Sequence, residues 1–156
     1  MSFISVDGRK RLEQVQQWLA GGAKHTEVEL NGEKLPPITR FSIHQTIRKD
    51  DCGTVCCIAG AVCQFNEPFD IRDMSAYRWV AFYEGESEEH EGVSARAQNL
   101  LGICFTDAVE LFEPSSIDWD CISPAVAAEC LKVYLETGEI DWSAAYETVE
   151  GVEVSE

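Results

Sequence analysis

Between residues 52 and 63 the chain reads CGTVCCIAGAVC, a stretch without a charged or aromatic side chain. A helix with so little side-chain bulk can be approached closely by its neighbours on every side. The segment therefore predicts a helix at the centre of the domain, around which the other elements pack. Asp51 or Thr54 is the expected cap of its N-terminus, because short polar side chains satisfy the free N–H groups there.

Local signals predict the elements that precede this segment. Apolar residues at helical spacing indicate a helix over residues 9–20, which Gly21 and Gly22 end. Residues 26–30 alternate polar and apolar side chains, and Asn31-Gly32 is a strong hairpin signal because both residues tolerate positive φ. Since Pro36 and Pro37 follow, we expect the return strand to stop at residue 35. Residues 38–47 fit either a strand or an irregular segment.

The C-terminal part of the sequence predicts four helices. The first covers residues 94–101 and ends at Gly102, and Thr106 caps a second that runs to residue 112. Ser123 and Pro124 mark the start of the clearest helix, and Gly138 marks its end. Asp141 begins a last short helix. The aromatic residues of segment 74–83 fit either a helix or a strand.

These elements predict a compact, helix-rich α+β domain with a short antiparallel hairpin near its N-terminus. The 156 residues are 45% hydrophobic, which is enough for one core, so a single domain over residues 1–150 and a frayed acidic tail over residues 151–156 are expected. No apolar run reaches the roughly 18 residues of a membrane span. Residues 1–7 lack the apolar core of a signal peptide, which predicts a cytoplasmic protein.

Charge is distributed unevenly along the chain, whose net charge is −16. Residues 1–50 carry a net charge of +2, whereas residues 51–156 carry −18. Such a surface does not attract nucleic acid or an anionic membrane, so neither is an expected partner, and a basic protein surface is. The most crowded acidic segment comprises Glu84, Glu86, Glu88, Glu89 and Glu91. An acidic surface that only maintains solubility is the plainer alternative.

Cys52 is the residue for which catalysis has to be considered. A thiolate at a helix N-terminus is favoured by the helix dipole, and papain-like hydrolases resemble this arrangement. His44 or His90 would be the base, but neither is followed by a recognisable Asp or Asn partner. A buried structural cysteine is the favoured interpretation, and the hydrolase is the alternative.

The remaining cysteines indicate neither disulfides nor metal. Cys63, Cys104 and Cys130 lie in apolar surroundings and are predicted to be small core side chains. Cys52 and Cys56 have the spacing of half a zinc site, but no second ligand pair follows. Nucleotide and metalloprotease motifs are also missing from the sequence, so we expect no cofactor and no metal.

Trp119 lies between Asp118 and Asp120. Tryptophan is enriched in the energetic centres of protein interfaces, so these three residues are a candidate partner-binding site. The other interpretation is that Trp119, like the other tryptophans, packs against the core.

The string CGT-x-x-CIAG over residues 52–60 resembles a segment of a group of small, uncharacterised bacterial and phage-encoded proteins. Further similar pieces occur within residues 38–64 and 105–142, and TGEIDW over residues 137–142 is one of them. The resemblance implies a phage or prophage setting and no activity. In size and acidity the chain is similar to anti-CRISPR and other anti-defence proteins.

The sequence therefore leads to the hypothesis of a non-enzymatic phage-type inhibitor that binds a basic host protein or nucleoprotein complex. Its acidic residues would occupy the positions of DNA phosphates in a Lys/Arg-lined channel. Glu84, Glu86, Glu88, Glu89, Glu91, Asp118, Trp119 and Asp120 are the expected contact residues.

Overall fold

The computed structural model describes residues 4–24, 26–30, 32–43, 47–50, 53–66 and 93–151. In chain order the helices are α1 (Val6–Ala20), α2 (Ile58–Asn66), α3 (Val93–Leu101), α4 (Phe105–Phe112), α5 (Pro124–Thr137) and α6 (Trp142–Glu150). The strands are β1 (Thr26–Leu30), β2 (Glu33–Phe41), β3 (Ile47–Asp50) and β4 (Gly53–Cys56), and Trp119–Cys121 form a 3-10 turn. This confirms a helix-rich α+β fold with a hairpin near the N-terminus.

The four strands form one mixed sheet in the order β1-β2-β4-β3. Strand β2 pairs antiparallel with β1 and parallel with β4, and β3 pairs antiparallel with β4. The prediction that Pro36 and Pro37 end β2 is wrong, because the strand continues to Phe41. The pairing shifts register at the prolines, where β2 carries one residue more than β1. A bulge of this kind accommodates residues that have no N–H to donate to the ladder.

Segment 52–63 does not form one helix, so that prediction is wrong in part. Gly53–Cys56 is strand β4, which pairs with strands on both sides, and the helix α2 begins only at Ile58. Thr54 lies inside the strand and cannot cap the helix. The central position of the helix is confirmed, since every residue from Ile58 to Gln64 is buried. Asp51 and Cys52 lie outside the described residues.

Helix α1 begins three residues before the predicted start and is joined at that end to α3. The Ser5 hydroxyl accepts a hydrogen bond from the Gly8 N–H at 2.9 Å and donates one to the Leu101 carbonyl at 3.2 Å. At Gly8 the two helix backbones are so close that a Cβ atom would lie 2.5 Å from the carbonyl carbon of Leu101. Glycine is therefore required at this crossing by close packing.

The C-terminal helices follow their sequence signals closely. Ser123 caps α5, Gly138 ends it with φ +82°, and the Asp141 carboxylate caps α6 by accepting from the Ala144 N–H at 3.0 Å. Helix α3 ends before Gly102 as predicted. The predicted start of α4 is wrong, because Cys104 and not Thr106 occupies the N-cap position.

The buried apolar side chains form a single core between the sheet, α2 and the surrounding helices. Among the residues that the structure describes, Tyr134 and Trp142 are the largest fully buried side chains. In the described part of the chain, no helix combines the length and the hydrophobicity that crossing a membrane requires.

Candidate protein-binding surface

Most residues that the sequence singles out lie outside the described part of the chain. These are Glu84, Glu86, Glu88, Glu89 and Glu91, together with Cys52, His44 and His90. The predicted helix N-terminus after Cys52 is not found, because residues 53–56 form a strand and α2 begins only at Ile58. Asp118, Trp119 and Asp120 are described.

Trp119 is half-buried and packs against the core. Its indole N–H donates to the Pro114 carbonyl at 2.6 Å, which fixes the chain between α4 and α5. The Asp118 carboxylate accepts from the Asp120 N–H at 3.0 Å and so caps the 3-10 turn. Trp119 therefore holds this connection in place, while the two exposed aspartates flank it with negative charge.

A different surface, on helix α4, has the features of a binding site. One side of α4 enters the core through Ala108, Leu111 and Phe112. On the other side Phe105 is 70% exposed and Val109 is 40% exposed, one helical turn apart. Together with Ile140, these two side chains line an open groove of about 460 Å³, which we call the α4 groove.

Two carboxylates of the α4 groove are held by neutral donors. The Tyr134 hydroxyl donates to the Asp107 carboxylate at 2.8 Å. The Ser115 and Ser116 hydroxyls donate to the two oxygens of the Glu110 carboxylate at 3.2 and 3.0 Å. Because these donors carry no charge, they orient the carboxylates without neutralising them.

The position of Tyr134 makes it a stable donor. Burial, followed by its hydrogen bond to the Asp107 carboxylate, raises the pKa of Tyr134 above that of an exposed tyrosine. The phenol therefore stays protonated throughout the physiological range and keeps donating to Asp107.

Ile140, in the segment before helix α6, completes the α4 groove. The Trp142 indole N–H, in the core, donates to the Glu110 backbone carbonyl at 2.9 Å. This contact holds the start of α6, and with it Ile140, beside α4. The groove thus lies on α4 and the segment before α6, and hydrogen bonds from buried residues of α5 and α6 hold α4 in place.

The part of the chain that forms the α4 groove, residues 104–151, has a large excess of acidic over basic residues. Residues 104–151 contain eleven carboxylates and a single basic residue, Lys132. Lys132 precedes Tyr134 by two helical positions, or about 200° around α5, so it projects away from the face that reaches Asp107. Most carboxylates of this segment consequently have no cation within it to pair with.

The described cysteines lie in different surroundings. Cys63 and Cys130 are buried as predicted, but the same prediction for Cys104 is wrong, because it lies exposed before the first turn of α4. Burial raises the pKa of the Cys56 thiol well above its usual value and that of Cys130 to about 12. Within the described ranges, no three His, Cys, Asp or Glu side chains are grouped so that they could hold a metal ion.

The sequence contains one signal for the α4 groove. The octapeptide FTDAVELF of α4 has more apolar residues than one buried face requires, and Phe105 and Val109 repeat at i, i+4. Whether such residues face the core or solvent depends on how the helix packs.

Comparisons of the chain with protein-family models, with curated proteins and with solved structures found no match.

Proposed function

We propose that the protein is a non-enzymatic inhibitor of the phage anti-CRISPR or anti-defence kind. It binds a basic, nucleic-acid-binding host protein in the cytoplasm through an acidic surface that takes the place of DNA. The observation that carries this proposal is the excess of carboxylates over cations, which is concentrated after residue 50. Electrostatic steering by such a surface accelerates association with a basic partner and weakens as salt is added.

The exposure of the described carboxylates supports the proposal. Glu113, Asp118, Asp120, Glu136, Glu139 and Asp141 are all exposed. Ion pairs between described residues include Arg9–Glu13 and Lys34–Glu27, which lie in the first 34 residues. The C-terminal part therefore presents exposed carboxylates to a partner.

The test is a pull-down with the tagged full chain from a bacterial lysate, at low and high salt, with and without duplex DNA. We expect the tagged chain to capture a nucleic-acid-binding protein, and we expect high salt and duplex DNA each to release it. One variant converts the five glutamates of residues 84–91 to glutamine, and it should lose the partner. Its control carries amides in place of five N-terminal carboxylates, namely Asp7, Glu13, Glu27, Glu29 and Glu33, and should keep it.

A partner that is retained equally by both variants, or that resists both salt and DNA, would contradict mimicry by the acidic surface. Capture of no basic protein at all would contradict the proposed function. Thermal unfolding of each variant shows whether a lost interaction reflects a lost fold.

A further inference from the structure

Two apolar side chains of the α4 groove, Phe105 and Val109, are exposed and do not belong to the core that the described residues form. Phe105 and Val109 lie on the side of α4 that faces away from the core, and Ile140 adds a third apolar side chain from the segment before α6. A single exposed apolar residue is ordinary, but a contiguous apolar surface rimmed by polar groups is typical of protein interaction sites. Burying the Phe105 ring against a partner would remove a large apolar area from water.

The carboxylates at the edge of the groove are held ready for a cationic ligand. Asp107 is fixed by Tyr134, and Glu110 is fixed by Ser115 and Ser116. Binding a lysine or arginine therefore requires little further ordering of either carboxylate. The bound cation would gain a charge-assisted hydrogen bond at each position.

Charge decides which occupant fits the groove. A second copy of this chain would bring another net charge of −16 to a surface that is itself negative, so self-association is opposed. A segment from the C-terminal part of this chain is not a complementary ligand either, because residues 51–156 carry a net charge of −18. The complementary ligand is a protein segment that combines apolar and basic side chains.

We infer that the α4 groove docks a basic amphipathic segment of the partner protein. An apolar side chain of that segment packs between Phe105, Val109 and Ile140, while flanking lysines or arginines pair with Asp107 and Glu110. This inference rests on the proposed function, in that the partner is a basic protein, and it adds where and how the partner is anchored.

The experiment uses the full chain labelled with nitrogen-15 and a synthetic Lys/Leu amphipathic peptide of about 14 residues, or roughly four helical turns. A Lys/Ser peptide of equal length and charge is the control for charge alone. We expect the Lys/Leu peptide to bind at least about tenfold more tightly, as an apolar anchor in a pocket should. The amide shifts should concentrate at residues 104–110 and 139–141.

Substitutions separate the apolar contribution to peptide binding from the contribution of charge. Phe105→Ser should weaken binding of the Lys/Leu peptide about tenfold or more at every salt concentration. Val6→Ser is the matched control, since Val6 is 73% exposed but does not line the groove, and it should leave binding unchanged. Asp107→Asn combined with Glu110→Gln should weaken binding mainly at low salt and flatten its salt dependence.

Other results would overturn the inference. If both peptides bind equally, with shifts spread over the acidic surface and no effect of Phe105→Ser, the groove is not the anchor, although a basic partner remains possible for the protein. If neither peptide binds at low salt, the groove is again excluded, and the proposed attraction of basic proteins is contradicted as well. Val109→Ser provides a second test should Phe105→Ser alter the thermal midpoint.

Discussion

Replacing Gly8 with alanine tests the packing of α1 against α3. In an isolated helix this substitution would stabilise, because glycine costs about 0.5–1 kcal/mol relative to alanine. In the folded protein the new Cβ would lie 2.5 Å from the Leu101 carbonyl carbon and 2.7 Å from its Cα, and closer still to its carbonyl oxygen. These are backbone atoms, so one helix has to move away from the other.

The cost of that movement can be estimated from the contacts it breaks. Overpacking of this kind costs about 1–3 kcal/mol. The two hydrogen bonds from Ser5 to the Leu101 carbonyl, at 3.3 Å from its N–H and 3.2 Å from its hydroxyl, would also be stretched. At about 1 kcal/mol for each hydrogen bond, and after subtracting the helix gain, the free energy of unfolding should fall by about 2–4 kcal/mol.

Thermal unfolding followed by circular dichroism measures this effect. At about 2–4 °C per kcal/mol for a chain of this size, the midpoint should fall by about 5–15 °C. Gly21→Ala is the control, because its Cβ would meet the Gln17 carbonyl oxygen at an ordinary 3.5 Å, and its midpoint should barely change. A Gly8→Ala variant as stable as the original protein would refute the close approach of α1 and α3.

Three further predictions concern α5. Tyr134→Phe removes the hydrogen bond to the Asp107 carboxylate and should lower the unfolding free energy by about 1.5–3 kcal/mol in urea titration. Tyr146→Phe, at a half-buried tyrosine, is the control and should have little effect, and equal losses would contradict the special role of Tyr134. Gly138→Ala should lower the free energy of unfolding by about 1–2 kcal/mol, since φ is +82° at this position. An unchanged thermal midpoint would contradict this. Burial raises the pKa of the Cys130 thiol to about 12, above that of an exposed thiol, so the folded protein holds this proton more tightly than the unfolded chain does. The resulting contribution to the free energy of unfolding is complete below about pH 8.5 and declines as the pH rises towards 12. Between these pH values the unfolding free energy of the original protein, measured by urea titration, should fall more steeply than that of Cys130→Ala, by about 1.4 kcal/mol per pH unit. The same pH dependence in both proteins would contradict this.

The candidate site was predictable from the sequence only in its chemistry. The charge of residues 51–156 predicts a basic partner, and this remains a prediction. The sequence could not show that Trp119 is tied to the Pro114 carbonyl, since the two groups are brought together by the turn between α4 and α5. Nor could it show that Phe105 is exposed while Phe112, on the same helix, is buried.

Features that depend on a few neighbouring residues were determined by the sequence itself. Ser123, Pro124 and Gly138 set the limits of α5, and Asn31-Gly32 separates β1 from β2, because capping and turn geometry are local properties of the backbone. The burial of residues 58–64 in α2 also follows from local composition, since the small side chains in this stretch allow neighbours to approach closely.

Features that depend on distant partners were decided only by the tertiary structure. Gly53–Cys56 is a strand because β2 and β3 offer it hydrogen bonds on both edges, which outweighs what the small residues would adopt alone. Strand β2 passes through two prolines because a bulge against β1 removes the need for their N–H groups. The α4 groove exists because Trp142 and Tyr134 reach from α6 and α5 to α4, and the geometry of such contacts, made between residues far apart in the chain, is set by packing.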